Sequence, residues 1–139
     1  VASALGYQAC SLGYKVLYQH SNKLFARMKI AKADSSYMKE MTRLEKTNVL
    51  IIDDFGLQPM DVQSRNMLME IIEDRHGKAS TIITSQLPIS SWHDVIGEQT
   101  IADAILDRIV HDAHRIDMKG DSLRKKKSNK FVEDSNSNN

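Results

Sequence analysis

An α/β fold built on a largely parallel sheet is predicted by three observations. Two continuous branched apolar runs, Asn48-Val49-Leu50-Ile51-Ile52 and Ser80-Thr81-Ile82-Ile83-Thr84, have the form of strands covered on both faces. Segments of helical period stand before, between and after them. Each apolar run stops abruptly at small or acidic polar residues, as strands do where a ligand crevice opens at their carboxyl ends.

Composition agrees with this class. The 139 residues are 41% hydrophobic and 27% charged, enough for a packed core and too apolar for a disordered chain. That length suits one domain or part of a larger one. With 19 Lys+Arg against 18 Asp+Glu the formal charge is +1, so any nucleic-acid contact must come from a local patch rather than from the sum. The single Cys10 excludes an internal disulfide framework and a Cys-rich zinc site, and points to a reducing compartment. No apolar run is long enough for a bilayer span or a signal segment, so no membrane partner is expected.

The elements follow in order. Ala2, Leu5, Ala9 and Leu12 recur at helical spacing, with Gly13 at the place of a C-cap glycine. Val1 to Leu5 reads as the inside of a helix with no capping residue ahead of it, so the chain reads as cut at its front end. Lys15 to Tyr18 is short and β-prone, and Ser21 or Asn22 is the expected cap of a helix burying Leu24, Phe25 and Met28. Asp34-Ser35-Ser36 breaks that helix. A further one follows with Tyr37, Met38, Met41 and Leu44 inward.

After the Val49–Ile52 strand, Asp61 is the expected cap of a helix with Met67, Leu68, Ile71 and Ile72 inward. Arg75-His76 ends that helix, where the cations complement its dipole or serve an inter-subunit contact. Beyond the second buried strand, Ile101, Ala102, Ile105, Leu106 and Ile109 mark one more helical face, with Asp107 and Arg108 off it. His114 to Met118 reads as a short strand, Asp121 to Lys127 as a capped basic helix start, and Ser128 to Asn139 as a disordered polar tail.

The strand ends are where chemistry is expected. Four apolar residues followed by Asp53-Asp54 is the form of a Walker B strand, in which one rigid carboxylate stands near Mg²⁺ and its neighbour orients or activates the attacking water. On pattern alone a strand ending in a solvated acidic turn is the commoner reading. Thr84-Ser85-Gln86 puts small polar groups beside the same crevice, suited to a γ-phosphate or a water, although a polar turn there is the plainer reading. Arg108 is placed to act in trans on a neighbour's nucleotide, since a guanidinium stabilises charge developing in phosphoryl transfer. On spacing alone a surface ion pair with Asp107 or Asp112 is favoured. Lys119, Arg124, Lys125, Lys126, Lys127 and Lys130 form a basic cluster that suits phosphate contacts or a solvated terminus equally well. His111 and His114 lack a third ligand and are read as structural, and Trp92 as a packing anchor.

Taken together, Leu50-Ile51-Ile52-Asp53-Asp54-Phe55-Gly56-Leu57, Ile72-Glu73-Asp74-Arg75-His76-Gly77, Ile83-Thr84-Ser85-Gln86-Leu87-Pro88, Ala102 to Arg108 and Gly120 to Arg124 closely resemble the IstB-like ATP-binding proteins. These are helper ATPases of insertion sequences, related to the DnaC helicase loader within the AAA+ class. The resemblance runs from about Val1 to Lys127. It implies a three-layer αβα P-loop NTPase core, with residues 1–127 a partial AAA+ domain and residues 128–139 a tail.

It also implies roles. Asp53 matches the Walker B magnesium carboxylate and Asp54 the water-activating one, where many AAA+ relatives have Glu. Ser85 matches sensor 1, Arg108 the arginine finger, and Arg124 sensor 2. The resemblance implies ATP and Mg²⁺ as cofactors, and duplex DNA, a transposase and further copies of the chain as partners, in the cytoplasm. Family members assemble on DNA with ATP, bend it, and recruit and stimulate the transposase. A DnaC-like helicase loader or a non-catalytic truncated remnant are the alternatives. No Gly-rich loop ending in Gly-Lys-Ser or Gly-Lys-Thr occurs in these residues, so this stretch is expected to bind nucleotide poorly by itself.

Overall fold

The computed structural model describes residues 2–111 and 113–116. Arg124, the basic cluster from Lys119 to Lys130, the helix start at Asp121 and the tail from Ser128 lie outside the described residues.

Helix α1 spans Ala2–Ser11 and closes at Gly13, whose φ of +88° suits a residue without Cβ. Its inward face is not the expected leucine stripe. Leu5 is 47% and Leu12 67% exposed, and Gly6 is the buried residue of the helix. The cause is close approach: a Cβ on Gly6 would lie 2.8 Å from Ile51 Cδ1, so small residues face the sheet and the leucines are displaced to the flanks.

Strand β1, Val16–His20, runs two residues further than the β-prone segment suggested and passes directly into α2, Ser21–Ala33. His20 is therefore the N-cap residue, without a side-chain cap, and Ser21 is the first buried helical residue rather than the cap. Asp34 breaks the chain by accepting from the Ser36 amide at 3.1 Å, and Ser35 takes a φ of +66°. In α3, Tyr37–Lys46, Met41 and Leu44 are buried, whereas Met38 is 71% exposed and does not belong to the inward face.

Strand β2, Val49–Asp53, is followed by α4, Val62–Arg75, whose amide of Ser64 donates to the Asp61 cap at 2.8 Å. Strand β3, Ser80–Ile83, leads through a 3₁₀ turn at Ile89–Ser91 to α5, Trp92–Ile96, and α6, Gln99–His111. Ala102, Ile105 and Leu106 are the buried residues of α6. Ala113 to Ile116 shows no regular structure where a strand was expected, and Asp117 and Met118 lie outside the described residues.

The three strands pair in the order β1-β2-β3, all parallel. Val16 faces Val49 and His20 faces Asp53, while Val49 faces Ser80 and Ile52 faces Ile83. Alternation then splits the apolar residues of the central strand. Leu50 and Ile52 join Leu24, Phe25, Met28, Met67, Leu68, Ile71 and Ile105 in the main core, and Ile51 points the other way, beneath α1.

Arg75 is no surface cation. It is 2% exposed, and its guanidinium donates to the carbonyls of Leu44 at 2.5 Å, Thr47 at 2.6 Å and Ser80 at 2.5 Å and to the Thr81 hydroxyl at 2.9 Å. It ties the end of α3 to the start of β3, because a planar fork with five donors can serve several carbonyls at once. No helix among the described residues is long and apolar enough to cross a membrane.

Candidate functional site at the strand ends

The parallel register brings the carboxyl ends of β1, β2 and β3 side by side, so the polar residues that terminate each strand share one crevice. Asp53 closes β2, and Asp54 turns the chain away with a φ of +55°, a left-handed conformation that Asp tolerates better than most residues. Gly56 follows at +94°, where a Cβ would meet Leu87 Cδ1 at 3.0 Å.

The acidic pair is held from both sides. Thr84, just past β3, is kept in register by its own amide on the Ile52 carbonyl at 3.0 Å and by the Phe55 amide on its carbonyl at 2.8 Å. Its hydroxyl donates to Asp53 Oδ1 and accepts the Asp54 amide at 3.0 Å. From the other flank Tyr18 donates its phenol hydroxyl to Asp53 Oδ2. His20 Nε2 stands 3.6 Å from Asp54 Oδ2, and its Nδ1 is buried without a partner among the described residues.

Electrostatics follow from these contacts. The Thr84 hydroxyl first and the Tyr18 hydroxyl second hold the Asp53 carboxyl below its ordinary range, against the desolvation that opposes them. The same bond raises Tyr18, because its proton is held by an anion. Asp53 is thus an ionised, oriented carboxylate.

Such a carboxylate fits Mg²⁺. No group of three or more His, Cys, Asp or Glu able to hold a metal is present among the described residues. Mg²⁺ demands little from the protein, keeping several waters and binding through one or two carboxylates plus substrate phosphates. A hard oxygen donor of fixed orientation beside a second acid matches that need.

Ser85 lies one residue beyond Thr84, and its hydroxyl is spent within the loops, donating to the Phe55 carbonyl at 2.5 Å and accepting the Leu87 amide at 3.0 Å. It therefore pins the loop after β2 to the loop after β3. Trp92 supports the same loops as a packing anchor: its ring centroid is 4.8 Å from that of Phe55 and its Nε1 donates to the Leu87 carbonyl at 3.2 Å.

Arg108 is not brought to this crevice in its own chain. It sits on α6 and pairs with Glu73 of α4 at 2.9 Å, rather than with its sequence neighbour Asp107, and Asp112 lies outside the described residues. Arg124 lies outside the described residues. Tyr18 and His20 went unread as site residues in the sequence. Their polar tips at alternate positions of one strand were the available signal, and only the register against β2 gives it meaning.

Comparison with known proteins agrees with the architecture. The AMPPCP-bound DnaA of Aquifex aeolicus superposes with a TM-score of 0.63 at 14% identity, covering 71% of this chain and 31% of that one. The DnaC helicase loader superposes at 0.55 with 20% identity, covering 69% and 59%. These neighbours are AAA+ P-loop NTPases and establish the α/β class of the fold. In sequence, a Sinorhizobium fredii protein that carries the name insertion sequence ATP-binding protein y4pL is 52% identical over 130 residues, which is 94% of this chain and 53% of that protein. The IS21 ATP-binding protein of Pseudomonas aeruginosa is 32% identical over 130 residues, 94% of this chain and 49% of that protein. The chain therefore spans about half the length of these curated relatives. The model of the IstB-like ATP binding protein family matches residues 1–131, and the chain belongs to that family.

Proposed function

We propose that the chain forms the Walker B and sensor portion of an insertion-sequence helper ATPase, which assembles on duplex DNA with Mg²⁺ and ATP and recruits or stimulates a transposase. The observation that carries this reading is the acidic pair at the end of β2, with Asp53 braced by Thr84 and Tyr18 and Asp54 turned out beside it.

Each residue has a definable task. Asp53 would hold Mg²⁺ through its oriented carboxylate, and the chemistry the cation would supply there is neutralisation of phosphate charge. Asp54 accepts a hydrogen bond from the attacking water and takes its proton as the water oxygen bonds to the γ-phosphorus. The bond from that phosphorus to the β–γ bridging oxygen breaks, with ADP as the leaving group. Ser85 keeps the loop after β3 in contact with the loop after β2, close to the phosphates. Arg108 leaves Glu73 to reach the γ-phosphate of an adjacent subunit, and Arg124 reads the γ-phosphate of the nucleotide bound by its own chain.

DNA contact has support in α2, which carries Lys23, Arg27, Lys29 and Lys32 and no acidic residue over its 13 residues. Lys23, Arg27 and Lys32 are exposed, the placement needed to neutralise phosphates in a salt-dependent, sequence-independent manner. The cluster from Lys119 to Lys130 adds further cations in sequence. A helicase-loader role has weaker support: the likeness to the DnaC helicase loader is one of fold at 20% identity, against 52% to an insertion-sequence protein. The whole assembly is assigned to the cytoplasm.

The test is turnover by the full-length protein with and without duplex DNA. Wild type should hydrolyse Mg²⁺-ATP faster with DNA present. Asp54→Asn should abolish hydrolysis and retain nucleotide binding, and the transposase it serves should co-purify in the presence of ATP. Unaltered turnover by Asp54→Asn would overturn the assignment.

A further inference from the structure

We propose that Tyr18 is a positioning residue for the metal-holding carboxylate, an inference that rests on Asp53 being the magnesium ligand. A tyrosine in a strand is ordinarily explained by β-propensity and packing. Tyr18 fits that explanation poorly. It is 46% exposed and lies outside the main apolar core, on one of the two outer strands of the three described. Its described polar engagement is one bond, from Oη to Asp53 Oδ2.

The register explains how the bond arises. Tyr18 stands opposite Ile51, so with a side-chain period of two it shares a sheet face with Asp53, two residues further along β2. A diagonal neighbour at that spacing is within reach of a long aromatic side chain, and the phenol hydroxyl covers the remaining distance. Thr84, the residue just past β3, reaches the other oxygen. Each flank of β2 thus supplies one hydroxyl, one to each carboxylate oxygen, and the plane of the carboxylate is set by two donors on opposite sides. Each oxygen accepts a single hydroxyl, which leaves lone-pair capacity for a cation. Partners of this kind hold a ligand in place without touching the metal, and their loss typically weakens metal binding by about 10- to 100-fold.

Tyr18→Phe isolates the hydroxyl, since the ring, its strand preference and its surroundings stay the same. The experiment uses the full-length protein with ATP and titrates Mn²⁺ by electron paramagnetic resonance, alongside ATP binding in EDTA and thermal unfolding. Tyr18→Phe should weaken Mn²⁺ binding by about 10-fold or more, with ATP affinity in EDTA and unfolding temperature as in wild type. Thr84→Val should act in the same direction and Thr84→Ser should restore binding. Wild-type Mn²⁺ affinity in Tyr18→Phe, in a protein where Asp53→Asn abolishes it, would overturn the role of Tyr18 and leave the site reading intact. Equal Mn²⁺ binding by wild type and Asp53→Asn would overturn the site reading and the role of Tyr18 together.

Discussion

Thr84 and Asp54 are joined by a 3.0 Å hydrogen bond in which the Asp54 amide donates to the Thr84 hydroxyl, while that hydroxyl spends its own proton on Asp53. One side chain just past β3 therefore fixes Asp53 at the end of β2 through its carboxylate and Asp54 just beyond it through its backbone. Because Asp54 sits at a φ of +55°, a conformation costly for most residues, the bond also holds the turn that aims its side chain. Thr84→Val keeps the shape and deletes both interactions. It should lower turnover of the full-length ATPase by about 10-fold or more with little loss of fold, and Thr84→Ser should recover most of it. Steady-state hydrolysis beside a circular dichroism melt separates the two effects, and full activity in Thr84→Val would dismiss the link.

Arg75 makes a claim about stability instead. Four acceptors meet its buried guanidinium, three of them main-chain carbonyls at the junction of α3, α4 and β3. Burial lowers its basicity, yet it stays charged, since the ordinary guanidinium value lies far above neutrality. Arg75→Met fills similar space and orphans those carbonyls, each costing about 1 to 3 kcal/mol if no water replaces the donor. The variant should lose about 3 kcal/mol or more in urea unfolding, and Arg75→Lys, with a single ammonium, should recover only part.

These two residues mark how far the sequence could be read. The helices and parallel strands were legible because burial imposes a period: branched runs at Val49–Ile52 and Thr81–Ile83, and spacings of three and four around Met67 to Ile72 and Ala102 to Leu106. The acidic pair was legible as a motif. What escaped was set by neighbours distant in sequence. Tyr18 and His20 matter because a register of parallel strands places them beside Asp53 and Asp54, and nothing local encodes that register. Arg75 sits at a helix end, where a cation already has a local explanation, and only the packing of α3 shows that it is inside. The α1 face was misassigned for the opposite reason: periodicity ranks leucine above glycine, and close approach to Ile51 reverses the ranking.

Asp61 gives a pH dependence with a defined sign. It caps α4 through the Ser64 amide and pairs with Lys29, and these contacts, the Lys29 bond foremost, depress its carboxyl from 3.8 to about 2. A depressed folded value means that the stabilisation is complete above the unfolded value and is lost as pH falls from about 4 through about 2. The carboxylate is more than half exposed, so solvent screening keeps the ion-pair part small and the cap dominates. Asp61→Ala should cost about 1 kcal/mol at neutral pH. The gap between variant and wild type should close on acidification through that window, as measured by urea unfolding at stepped pH. A gap independent of pH would show that the charge contributes nothing.

Arg108 and Glu73 set the sharpest test of assembly. Their 2.9 Å ion pair lies at the seam of α4 and α6 with both side chains partly exposed, a setting in which such pairs contribute about 0 to 1 kcal/mol. Arg108→Ala should therefore leave the unfolding free energy almost unchanged. If Arg108 serves a neighbour's γ-phosphate, the same variant should lose nearly all turnover while each subunit still binds ATP, as removal of an arginine finger does. Mixing then discriminates. An Arg108→Ala subunit keeps its own Asp54, and an Asp54→Asn subunit keeps its own Arg108, so an interface that joins them in the right order is complete. Two inactive preparations should regain part of wild-type turnover when combined, and Glu73→Gln, which frees the guanidinium in advance, should not impair them. Failure of the mixture to exceed either component, with assembly on DNA verified by sedimentation, would return Arg108 to its ion pair with Glu73 as a structural residue of a single chain.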